Sequence, residues 1–176
     1  IDEMEASYKA TRHLIETGRK RIAHFAGPQN LVIGRERLQG YLNALTEAGL
    51  PVDNRLIVEA DNYERARNAV IELLDAGIVP DGIFAVNDLT AIGAMQTIQK
   101  KGFKIPVDIS IVGFSDGSLS GITDPHLSSV DQHGYEMGTT AAEMLFQRIM
   151  SNEEEYIPEV KILQADLIVR GSSVME

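Results

Sequence analysis

The stretch Asp81–Asp116, DGIFAVNDLTAIGAMQTIQKKGFKIPVDISIVGFSD, decides the fold. Gly82-Ile83-Phe84-Ala85-Val86 is a short apolar run without alternation, as expected of a strand buried on both faces. It stops at Asn87-Asp88, either of which can cap a helix N-terminus. Leu89, Ile92, Met95 and Ile98 then recur at helical spacing, and Lys100, Lys101 and Gly102 supply the cations and the glycine that close a helix. A second apolar strand, Ile109–Phe114, ends at Ser115-Asp116. Such a strand-helix-strand unit implies parallel pairing, and open parallel sheets bind ligands beyond the carboxyl ends of their strands. Asn87, Asp88, Ser115 and Asp116 lie at such ends.

The same rhythm extends in both directions. Upstream, a helix is expected over residues 3–17 with Met4, Tyr8, Leu14 and Ile15 as its apolar face. Then come a strand at Ile22–Ala26 and a turn at Gly27-Pro28. A helix over residues 31–48 should bury Leu38, Leu42 and Leu45. Arg35 and Arg37 fall in its first two turns, where cations oppose the helix dipole, so other groups should hold them there. A strand at Arg55–Glu59 exits through Asn62-Tyr63, and a helix over residues 64–75 buries Ala66, Ala69, Val70, Leu73 and Leu74. Downstream, Gly117–His126 is turn-rich and Leu127–Val130 is a short strand. A helix over residues 134–151 should bury Met137, Ala141, Met144, Leu145 and Ile149. Asn152–Glu155 reads as an acidic solvated loop, and residues 160–169 as extended edge structure. The alternation predicts an α/β fold, an open doubly wound parallel sheet with helices on both faces.

Bulk properties narrow the function. The 176 residues suffice for one domain with a sizeable core. A formal net charge of −10 disfavours these residues as a nucleic-acid surface. Without cysteine there is no disulfide, thiolate zinc site or thiol nucleophile. No apolar run approaches the length of a membrane span. The chain opens as IDEMEAS, without an initiator Met, and is expected to be part of something longer.

The first turn after a strand, Ala26-Gly27-Pro28-Gln29-Asn30, carries neither G-x-G-x-x-G nor a phosphate-binding G-x-x-x-x-G-K loop. Ser115 lacks the G-x-S-x-G context of a hydrolase elbow, Phe114 standing in place of its glycine. His13, His24, His126 and His133 show no metal-ligand spacing, although His126 and His133 could approach each other across the short strand. No catalytic residue, metal ligand or cofactor site is expected. What remains is a polar set at one sheet edge: Arg35, Arg37, Asn62, Tyr63, Asn87, Asp88, Ser115 and Asp116. Guanidinium, amide and carboxylate groups beside an aromatic ring suit a small polyhydroxylated or heterocyclic ligand.

Five blocks in order, Arg21-Ile22-Ala23 with Ala26-Gly27, RERLQGYLNALTEAGLP, FAVNDLTAIGAM, KIPVDISIVGFSD and DPHLSSVDQ, resemble the effector-binding core of the LacI/GalR regulators, whose fold is like that of periplasmic sugar-binding proteins. The resemblance spans essentially the whole chain. It implies a type I periplasmic-binding-protein-like core of two lobes with an effector between them, and a separate DNA-binding headpiece. Here the headpiece and most of the first lobe are expected to be absent. Residues 21–129 and 160–176 would form the second lobe, and 1–20 and 131–159 parts of the first. By position, the resemblance implies that Arg37 and Asn87 bind the effector, that Asn62 or Tyr63 occupies the place of a stacking aromatic, and that Gln132 and Met137 lie near the cleft. Ser115 stands where an Asp is frequent, beside Asp116; Gly134 replaces a cleft aromatic and His126 a frequent Pro. The implied role is a cytoplasmic small-molecule-sensing core with sugar or related effector, operator DNA reached through the missing headpiece, and a homodimer formed through the helix from Leu89 and the Gly117–His126 segment. An extracytoplasmic sugar-binding protein of the same fold, and then a doubly wound enzyme, are the rival expectations.

Overall fold

The computed structural model describes residues 1–151 and 158–174. The predicted alternation is realised, with strands β1 (Ile22–Ala26), β2 (Ile57–Glu59), β3 (Gly82–Ala85), β4 (Ser110–Ser115), β5 (Ser128–Asp131) and β6 (Asp166–Ile168) in one sheet ordered β2-β1-β3-β4-β5-β6. The first five run parallel; β6 closes the edge antiparallel to β5, with Val130 opposite Leu167. Helices α1 (Glu3–Glu16), α2 (Val32–Glu47), α3 (Tyr63–Asp75), α4 (Asp88–Lys100) and α5 (Gly134–Met150) complete the fold. A single 3-10 turn, Asn54–Leu56, occupies the beginning of the predicted second strand.

The strands sort their residues between two cores. Ala23, Phe25, Ile83, Ala85 and Ile111 face Ala66, Ala69, Val70, Ala94, Met95 and Ile98 of α3 and α4. Ile22, Phe84, Val112, Phe114 and Val130 face Ala6, Ala10 and Leu14 of α1 and Tyr41 and Leu45 of α2. That is the period-2 alternation of a strand covered on both sides, which reads in sequence as a continuous apolar run.

Helix packing corrects several expected faces. In α1 the buried residues are Ala6, Ser7, Ala10, Thr11 and Leu14, while Met4 is 40% exposed. In α2 they are Gly34, Arg37, Gly40, Tyr41, Ala44 and Leu45, with Leu38 and Leu42 only partly covered. The reason is close backbone approach: a Cβ on Gly40 would lie 2.2 Å from the Met4 carbonyl oxygen and 2.3 Å from Ser7 Oγ. The α3–α4 pair repeats the device, since a Cβ on Gly93 would sit 2.4 Å from the Tyr63 carbonyl oxygen. Small residues face each other there, and Leu89 is left 52% exposed. On α5 the expected burial fails altogether. None of its residues is buried, and Leu145 and Ile149 are 60% and 65% exposed, because no other described element covers that stripe.

The C-terminal tail returns beneath the sheet. Ser172 and Ser173 are fully buried. Ser172 Oγ donates to the Ile111 carbonyl (2.6 Å) and accepts from the Ser128 amide (2.8 Å), and Ser173 Oγ lies 2.7 Å from His13 Nε2. The tail thereby ties β4, β5 and α1 together. Residues 1–20, expected with the first lobe, pack through α1 onto this sheet. The predicted acidic loop at Asn152–Glu155 lies outside the described residues.

Candidate functional site

A sheet with this 2-1-3-4-5 order has its topological switch between β1 and β3, and the crevice there opens at the carboxyl ends of the strands. Arg37 points into that junction from α2. Its Nη1 donates to the Val86 carbonyl at the β3 exit, and its guanidinium carbon lies 3.6 Å from the centroid of the Phe114 ring in β4. Nε donates to Glu3 Oε2 at 2.8 Å. These partners answer the question posed by two arginines near a helix N-terminus. Glu3 neutralises Arg37, and Arg35 Nη1 donates to the Gln29 carbonyl at 3.1 Å.

Beneath Arg37 lies an aromatic stack. The His24 ring is sandwiched between Phe84 and Tyr41, with centroids 4.8 and 5.2 Å away. His24 Nδ1 donates to the Phe84 carbonyl at 3.0 Å, and Nε2 is buried without a partner among the described residues. Burial pushes the His24 imidazole down to about 4; the Phe84 hydrogen bond opposes this and the Arg37 charge adds to it. The ring is therefore neutral at neutral pH.

Asn87, not Asp88, caps α4. Its Oδ1 accepts from the Thr90 amide (2.9 Å), and its Nδ2 donates to the Asp61 carbonyl (2.8 Å), joining the exits of β2 and β3. Asn62 caps α3 in the same way, accepting from the Arg65 amide at 3.0 Å. Asp88 is buried and accepts from Gly117 N, Ser120 Oγ and Ser129 Oγ, at 2.8, 2.9 and 2.5 Å. A carboxylate so supplied is a brace, fixing the segment after β4 against β5.

The remaining predicted residues spread along the same edge. Asp116 forms a two-pronged ion pair with Arg170, at 2.6 and 2.9 Å. Ser115 is exposed and has φ +121°, a conformation that L residues other than glycine rarely adopt. Gln132 follows β5, half-exposed, and Met137 lies one turn into α5. Tyr63 is turned another way: its hydroxyl donates to Gln96 Oε1 at 2.7 Å, along α4 and away from the strand ends. At the start of α5, His133 in the left-handed region bonds to Asp166 Oδ2 at 2.8 Å. That bond, with the charge of Asp131, raises its imidazole above the ordinary value. His126 and His133 sit at opposite ends of β5, so the approach imagined from sequence does not occur. Among the described residues no group of three acidic or histidine side chains is placed to hold a metal.

Sequence reasoning missed Glu3, Phe114 and Arg170. Glu3 was discoverable only as the counter-ion that Arg37 demanded, and nothing in its own neighbourhood marks it.

Residues 11–173 match the model of the periplasmic binding protein-like domain. The chain belongs to that family. Within it, the chain is 38% identical over 173 residues to the HTH-type transcriptional regulator CelR of Thermobifida fusca, covering 98% of this chain and 50% of that protein. It is 34% identical to the repressor CytR of Escherichia coli K12, again with 98% and 50% covered. The solved complex of CelR with cellobiose superposes with a TM-score of 0.90 over 98% of this chain and 52% of that one. The chain thus spans about half the length of the curated relatives it matches. The periplasmic binding protein-like fold and the resemblance to the core of LacI-type regulators are both borne out, and these relatives are transcription regulators. No helix among the described residues is long and apolar enough to cross a membrane.

Proposed function

We propose that this chain is the greater part of the effector-sensing core of a LacI-type transcription regulator, with a sugar or related metabolite as effector. The observation that carries the proposal is Arg37, a buried guanidinium presented at the strand-end crevice with Nη2 taken by no described residue. Cellobiose in the CelR complex supports a carbohydrate ligand. In this reading Arg37 and Asn87 are the primary contacts, and Ser115, Asn62 and Gln132 line the rim. Tyr63 and Asp116 reach the ligand only by exchanging Gln96 and Arg170 for it.

The two-lobe division gives the bare stripe of α5 its meaning. Residues 131–159 belong to the first lobe, whose other segments would cover Leu145, Phe146 and Ile149. For α1, the shared core of Ala6, Ala10 and Leu14 with the sheet supports reading it as a crossover lying on the second lobe. Effector binding between the lobes favours one relative orientation, and a headpiece outside these residues converts that into a change of operator affinity. The protein would work in the cytoplasm as a homodimer. The two-fold surface is the outer side of α4 with the segment 117–126, where Leu89, Leu119 and Ile122 stand exposed.

The test is operator release by the intact regulator, measured by fluorescence anisotropy across a sugar panel. Arg37→Ala abolishes the response at effector concentrations that saturate the native protein. An unaltered response would remove Arg37 from the site and the proposal with it.

A further inference from the structure

We infer that Glu3 is a specificity residue of this crevice: by holding Arg37 in a neutral pair, it selects an uncharged, hydroxyl-rich ligand over an anionic one. The inference rests on the effector-site reading and adds to it the chemical class of the ligand.

A buried guanidinium without a counter-ion draws an anion, because its charge is uncompensated where water cannot screen it. Here the counter-ion is built in. The Arg37 and Glu3 side chains are only 5% and 14% exposed, and Nε and Oε2 are 2.8 Å apart. Phe114 underlies the guanidinium and the Val86 carbonyl takes Nη1. What the pair offers a ligand is a positioned N–H donor, suited to a hydroxyl or carbonyl oxygen, rather than a free positive charge.

The rest of the edge agrees. Arg65 is matched by Glu59 and Asp61, and Arg170 by Asp116. Asp88 and Asp131 add further carboxylates at the exits of β3 and β5. The dipoles of α3 and α4 are already answered by Glu64 and Asp88 in their first turns and by asparagine caps. Favouring an anion are the N-terminus of α2, which has neither a side-chain cap nor an acidic first turn, and the exposed Arg35 beside it. Arg35 lies in the solvent-facing part of the turn, where water screens its charge.

The experiment is isothermal titration of the intact regulator and its Glu3→Gln variant with cellobiose, ribose, ribose 5-phosphate and inorganic phosphate. Glutamine keeps an acceptor for Nε and removes only the charge. The native protein should prefer a neutral sugar to either anion. Glu3→Gln should bind phosphate at least about fivefold more tightly than the native protein, a gain lost again in Glu3→Gln/Arg37→Ala. Unchanged phosphate affinity in Glu3→Gln, or a native protein that prefers ribose 5-phosphate to the neutral sugars, would overturn the inference. Failure of the effector reading looks different: no operator response to any ligand, whatever the phosphate measurements show.

Discussion

His24 shows how a single ring couples the core to pH. Folded, it takes a proton only near pH 4; unfolded, it does so near 6.5. Its contribution to stability is therefore complete above about pH 6.5. It is lost as the pH falls toward 4, because the unfolded chain then binds a proton that the folded one excludes. Between pH 7 and pH 5 this amounts to about 2 kcal/mol. Urea unfolding of His24→Phe should show a pH 5 penalty smaller by that amount; an identical penalty in both proteins would show that another group is responsible. At this scale the sequence was half legible. Arg37 stood out because a cation near a helix N-terminus needs a reason, and Asn87 because an apolar run ended on it. Glu3 and Phe114 did not stand out, since an ion pair across 34 residues and a ring beneath a guanidinium leave no local pattern.

Among elements, strands and helix limits followed from periodicity, whereas the buried faces did not. A pattern search rewards large apolar residues, yet α1 and α2 meet where Gly40 abuts Ser7 and the backbone of Met4 and Tyr8, so leucines 38 and 42 were over-weighted. Gly40→Ala should destabilise the fold by about 1–3 kcal/mol, since a methyl group there must displace backbone atoms of α1 rather than a flexible side-chain tip. Thermal unfolding measures this, and a variant as stable as the parent would mean that the helices can separate freely. The misread stripe of α5 has another origin. Its amphipathic spacing is sound, but a helix cannot declare from its own sequence which partner covers it.

At the level of the whole molecule, strand number and handed alternation were readable, and so was the strand-end location of the polar groups. The antiparallel turn of β6 and the burial of Gly171–Ser173 were not, because both depend on a return from beyond α5. The proposed two-fold surface belongs to this scale. Ile122 is 75% exposed on the segment that Asp88 holds in place through Gly117 and Ser120. Ile122→Asp should shift the intact protein from dimer to monomer in sedimentation velocity, because an unpaired carboxylate is costly at the centre of an apolar contact. A dimer of undiminished affinity would place the interface elsewhere.

The tail beneath the sheet has a consequence in time as well as in space. His13 and Ser173 are hydrogen-bonded across a separation of 160 residues. At roughly 5–20 residues per second of synthesis, α1 waits on the order of ten seconds or more for the segment that secures it. Until then the amino ends of β4 and β5 lack the hydroxyls of Ser172 and Ser173. Ser172 and Ser173 lie in a turn made long after α1, so a nascent chain can pair β1 to β4 well before the hydroxyls that fasten α1 are available.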